Sequence, residues 1–129
     1  MRMNMETFKS VVFPLAQETG YKVSDLREPE YNSFYSCAFE NRTEYFWVLA
    51  SLEEDKWALA KALKDDDSLE FTFLDNAAIL KAMKSLFDID LLRTDQLDAP
   101  FDRDPRYLNS DQKVEKPETW GKNWFNWWA

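Results

Sequence analysis

The chain has no histidine, one cysteine and two glycines among its 129 residues. Without imidazole there can be no Ser-His-Asp or Cys-His nucleophile system, no H-E-x-x-H zinc site and no histidine general base. A single thiol, Cys37, cannot close an internal disulfide or build a structural zinc site of the usual kind, and it suits a reducing compartment. Two isolated glycines, Gly20 and Gly121, cannot form the phosphate cradle of a Walker loop or the dinucleotide fingerprint, where the backbone must approach phosphate at several positions. No run approaches 18 apolar residues, and Met-Arg-Met-Asn-Met-Glu at the start lacks the apolar centre of a signal peptide. The expectation is a soluble, cytoplasmic chain. Positive charge is also short: 16 Lys and Arg stand against 24 Asp and Glu, a formal charge of −8. Phosphate backbones and anionic bilayers are repelled by such a field, which disfavours direct nucleic-acid and membrane binding. A basic protein partner is attracted by it.

What is present is a dense apolar complement, 45% hydrophobic and 16% aromatic, enough for one folded domain over 1–129. Met5, Phe8, Val12 and Leu15 recur at helical spacing, so 5–19 reads as a helix kinked at Pro14 and closed by Gly20. Residues 21–32 read as a connection. Ser33–Phe39 and Glu44–Ala50 are aromatic and β-prone, joined by a turn at 40–43, and both apolar faces place them centrally in a sheet. Ser51-Leu-Glu-Glu54 has the form of a capping box, with Trp57, Ala60 and Leu63 as the stripe of a following helix. Leu69–Leu74 alternates like a strand burying Leu69, Phe71 and Phe73. Asp75 is the expected cap of a helix that turns Ile79, Leu80, Met83, Leu86 and Phe87 inward. From 88 to 118 periodicity is lost, apart from a short strand expected near 89–92. Ile89, Leu91, Leu92, Leu97, Phe101, Tyr107 and Leu108 are left to pin the segment on the core. The expected fold is a small α+β layer structure, ordered α-β-β-α-β-α with a predominantly antiparallel sheet. Its core spans 5–92, followed by a wrapping extension at 93–116 and a Trp-rich tail at 117–129.

Carboxylates are the remaining chemistry. Asp65-Asp66-Asp67 lacks the alternate-position oxygens, bend glycine and terminal Glu of a calcium loop, and reads as a solvated helix end. Asp88-x-Asp90 has no Lys or Gly context of a magnesium nuclease, and Glu54-x-Lys56 lacks the Pro-Asp half of the restriction-type motif. Cys37, mid-strand among aromatics, reads as a small buried hydrophobe with no cation beside it in sequence. No catalytic, metal or cofactor residue is therefore assigned. The aspartates between 88 and 111 outnumber the arginines there and suggest a negatively charged face, spaced somewhat like phosphates, that would occupy the basic cleft of a nuclease or other nucleic-acid-binding protein.

The tail holds four of the six tryptophans: Trp120, Trp124, Trp127 and Trp128. At about 150–250 Å² apiece they would expose roughly 600–1,000 Å², more than the ~300–600 Å² of the largest patch on a typical soluble monomer. As a helix they form one stripe with Phe125 beside it, and they dock on their own domain, on a partner, or at a membrane interface. The leading expectation is a non-enzymatic acidic inhibitor or immunity-type protein that binds a basic partner through Asp95, Asp98, Asp102, Asp104, Trp124, Trp127 and Trp128. Two alternatives stand beside it: a ligand pocket or small enzyme site lined by Tyr35, Trp47 and Tyr107, and a structural subunit inserting its Trp tail into a complex.

Overall fold

The computed structural model describes residues 3–30, 32–52, 55–61, 72–109, 112–113 and 116–125. Helix α1 spans Met5–Thr19. The Asn4 carboxamide oxygen accepts the Thr7 amide at 2.8 Å, and Gly20 closes the helix at φ 81°, a left-handed conformation that glycine adopts without steric penalty. Phe8, Val11, Val12, Leu15 and Ala16 form its buried stripe.

Four antiparallel strands follow in simple order: β1 (Lys22–Arg27), β2 (Phe34–Glu40), β3 (Tyr45–Ser51) and β4 (Trp57–Lys61). The β2–β3 hairpin matches the sequence expectation, and its turn is held by the Asn41 side chain accepting from the amides of Thr43 and Glu44. Two strands were not expected. β1 occupies part of the predicted connection. Its pairing steps from Ser24 opposite Ala38 to Arg27 opposite Ser36, three residues against two, with Asp25 at φ 51°. This β-bulge breaks the period of two, so Val23 and Leu26 both reach the same core cluster. Their spacing of three hid the strand.

β4 replaces the predicted helix. Ser51 ends β3 instead of capping a helix, and its amide bonds to the Lys56 carbonyl at 2.9 Å. Trp57 and Leu59 face one side of the sheet, Ala58 and Ala60 the other, all buried. A strand buried on both faces is a continuous apolar run, which periodicity alone does not separate from a buried helix. Glu54 and Leu63 lie outside the described residues, as do Leu69 and Phe71 of the predicted strand. The end of that strand is present: Thr72–Leu74 lies along β4, with Lys61 N–H donating to Thr72 and Leu74 N–H to Leu59.

α2 spans Ala77–Phe87. Its cap is Asn76, whose side chain accepts the Ile79 amide at 3.1 Å. Asp75, the predicted cap, instead accepts from the Thr94 amide and hydroxyl at 2.9 and 2.8 Å. Ile79, Ala82 and Met83 are buried, whereas Leu86 is 45% exposed, against expectation. It sits on the outer flank, in a shallow groove between the two helices with Thr19 and Ala82.

The layers follow from strand alternation. Tyr35, Cys37, Phe39, Phe46, Val48, Ala50, Trp57 and Leu59 face α1 and α2. Phe34, Leu49, Ala58 and Ala60 face a second cluster completed by Leu92, Leu97 and Phe125 from the C-terminal part of the chain. That part is an arc. Leu91 bridges to Trp57 at the expected strand position, α3 spans Thr94–Leu97, and Pro100 bridges to Thr119. A 3₁₀ turn covers Pro105–Tyr107, and α4 spans Trp120–Trp124. No helix among the described residues is long and apolar enough to cross a membrane.

Candidate partner-binding surface

The arc from 88 to 104 is fixed from beneath. Leu91, Leu92 and Leu97 are buried, the Leu92 amide bonds to Trp57, and the Phe101 and Trp120 amides exchange bonds with Glu118 and Ala99. The aspartates between these anchors therefore point outward. The side chains of Asp88 and Asp90 are each 86% exposed, and that of Asp95 71%. Asp98, which caps the C-terminal end of α3, is exposed as well.

Each carboxylate has a distinct setting. Lys84 bridges Asp88 and Asp90 at 2.8 and 3.1 Å; the hydrogen bond from Lys84 holds the Asp88 carboxyl below its ordinary range. Asp95 accepts from Arg93 Nε and the Gln96 amide. Asp104 caps the 3₁₀ turn through the Arg106 amide and meets the Arg106 guanidinium at 2.8 Å, which lowers its pKa. Asp102 accepts the Trp120 indole N–H at 2.9 Å. All these ion pairs are exposed. Such pairs are worth little to the fold and are readily exchanged for a partner's cations.

The tail is rooted in the same surface. The Thr119 hydroxyl caps α4 by accepting the Lys122 amide. Phe125, expected beside the Trp stripe, is the residue that enters the core, 2% exposed and against Phe34 and Phe73 at 6.1 and 6.0 Å between ring centroids. Gly121 is buried where a Cβ would stand 2.6 Å from the Phe73 ring and 2.8 Å from the Leu97 carbonyl oxygen; α4 approaches that closely only through glycine. Trp120 and Trp124 pack with rings tilted by 30° at 5.1 Å between centroids, and Phe101 meets Trp120 edge-on at 4.7 Å. Arg103 lies over Trp120 and Lys56 over Trp124, at 5.3 and 5.2 Å. Neither cation is near its tryptophan in sequence, and no pattern in the chain pointed to them. The Trp124 indole N–H is buried with no hydrogen-bond partner among the described residues.

Asp95, Asp98, Asp102, Asp104 and Trp124 thus belong to one continuous segment pair, the arc and α4. Trp127 and Trp128 lie outside the described residues. The three residues named for a pocket are not brought together. Tyr35 faces α1, with its ring 5.7 Å from that of Phe8, while Trp47 is on the opposite face with Arg27 at 5.2 Å. Tyr107 stands 70% exposed on the 3₁₀ turn. Cys37 is buried, and burial pushes its thiol up to about 12. Among the described residues no group of three or more metal-ligating side chains converges. Comparison with protein-family models, curated proteins and solved structures found no match.

Proposed function

We propose that this chain is a non-enzymatic, cytoplasmic binding protein of inhibitor or immunity type. It occupies a basic site on another protein, such as the cleft of a nuclease or other nucleic-acid-binding protein. The observation that carries this reading is the arc itself: six aspartates against two arginines over 88–104, displayed outward on a backbone held by buried leucines and by Asp75. A fixed array of charge binds with less ordering cost than a loose loop, and it steers encounter at low ionic strength. The half-buried Phe101, Trp120 and Trp124 beside it supply the aromatic contact area typical of binding hot spots.

The test is binding by charge variants designed around the geometry. Asp95→Lys with Asp98→Lys reverses two carboxylates that hold no other part of the fold in place except the neighbouring Arg93 and Gln96. Asp102→Asn keeps an acceptor for the Trp120 indole. The combined variant retains its near-ultraviolet circular dichroism and loses salt-sensitive capture of basic proteins from source lysate. Unchanged capture rejects the proposal.

A further inference from the structure

The cations that meet the aspartate arc are not equivalent. Arg93 pairs with Asp95 and Arg106 with Asp104, each a contact between close sequence neighbours. Lys84 differs on two counts. It comes from α2 rather than from the arc, and its ammonium holds two carboxylates at once, Asp88 at 2.8 Å and Asp90 at 3.1 Å. The backbone around this bridge is fixed. Asp88 closes α2 in a left-handed conformation at φ 56°, the Ile89 amide bonds to the Met83 carbonyl at 3.3 Å, and Leu91 bridges to Trp57. Beside the bridge lies an open cavity of about 370 Å³, with Leu80, Ile89 and Leu91 as its apolar wall and Lys84, Asp90 and Arg93 as the charged part of its lining.

We infer that this cavity is the socket for one long cationic side chain of the basic partner, and that Lys84 is its internal competitor. The inference rests on the proposed function, because it names how the arc receives its partner. The incoming lysine or arginine lays its aliphatic stem on Leu80, Ile89 and Leu91. Its head group takes the place between Asp88 and Asp90 that the Lys84 ammonium holds in the free chain. Charge selects the occupant. Lys84 and Arg93 stand against Asp88, Asp90 and Asp95; once Lys84 swings into water, three carboxylates face the single Arg93 guanidinium, whose Nε is already 3.2 Å from Asp95. An anionic side chain is turned away by the same carboxylates. The exchange costs the fold little, since the Lys84 side chain is 55% exposed and both carboxylates are 86% exposed, and a wet ion pair of this kind is worth little. The partner's stem gains apolar burial that the resident pair does not supply.

The experiment titrates octalysine into the full chain at about 0.15 M salt and follows the backbone amide resonances. Saturable shifts are expected at Asp88, Ile89, Asp90 and Leu91. Lys84→Met keeps an unbranched, helix-favouring side chain without the charge and tightens binding about threefold. Lys81→Met makes the same change of net charge on the same helix, in the groove toward α1, and leaves affinity within error. In an Asp88→Asn/Asp90→Asn background the gain from Lys84→Met vanishes. Octa(2,4-diaminobutyrate), equal in charge but with shorter stems, binds more weakly than octalysine. The inference is overturned by equal gains from Lys84→Met and Lys81→Met, by unchanged or weaker binding of Lys84→Met, by a gain that persists in the Asp88→Asn/Asp90→Asn background, or by equal affinity for the two peptides; the proposed function survives each of these. The absence of saturable shifts anywhere in 88–104 removes both.

Discussion

Single residues carry two sharp consequences of the packing. Cys37 is a thiol in an apolar layer, and burial alone raises its pKa from an ordinary 9.0 to about 12. The folded state therefore keeps the proton while the unfolded chain releases it, so the associated stability is complete below pH 9 and drains away as pH rises toward 12. Alkaline melting curves should show this decline, and Cys37→Ala should flatten it; an identical decline in the variant contradicts the assignment. At pH 8 the native thiol should resist disulfide reagents and react only on unfolding. Gly121 is the second case. Gly121→Ala drives a methyl into the Phe73 ring and the Leu97 carbonyl, and overpacking of this kind costs about 1–3 kcal/mol. A lowered melting temperature with α4 loosened is expected, despite alanine's better helix propensity. At this scale the sequence was partly readable. Cys37 as a buried hydrophobe and Gly20 as a helix cap follow from neighbouring residues, but the need for glycine at 121 comes from Phe73, 48 positions away.

Among the elements, the second face of the sheet depends on the tail. Phe125 fills it between Phe34 and Phe73, so Phe125→Ala should cost about 3–5 kcal/mol and shift tryptophan emission to the red as α4 lifts. A change within error would mean that the arc closes this face unaided. Asp75→Ala should cost less, about 0.5–1.5 kcal/mol, through loss of the exposed bonds from the Thr94 amide and hydroxyl; urea melts compare the two directly. The same elements show where reading the sequence stops. The β2–β3 hairpin, α1 and α2 were legible because their patterns are local: alternation with a four-residue turn, or a stripe with a cap. β4 was not, because a strand buried on both faces loses its alternation and Ser51 and Glu54 imitate a helix start. β1 was not, because the Asp25 bulge moves Leu26 onto the face that Val23 already uses. In both, tertiary pairing overrode the local signal.

The molecule as a whole is a four-stranded sheet with helices on one face and its own C-terminal arc on the other. The acidity of the chain was plain in its composition; that the aspartates would be held outward by buried Leu91, Leu92 and Leu97 was visible only once the arc was placed on the sheet. The pocket expected from Tyr35, Trp47 and Tyr107 failed for a simple reason of strand geometry. Residues 35 and 47 belong to opposite faces, and side-chain spacing within one strand says nothing of the register between two. Charge on this scale also predicts ionic-strength dependence: association with a basic partner should weaken steadily as salt shortens the Debye length.

The most direct measurement of the binding account is capture from source lysate on the immobilised full chain at about 0.05 M and about 0.5 M salt, run in parallel with Asp95→Lys/Asp98→Lys/Asp102→Asn. The account predicts a basic protein retained at low salt, released at high salt and missing from the variant column. Retention of the same protein by the variant, or capture indifferent to salt, contradicts it.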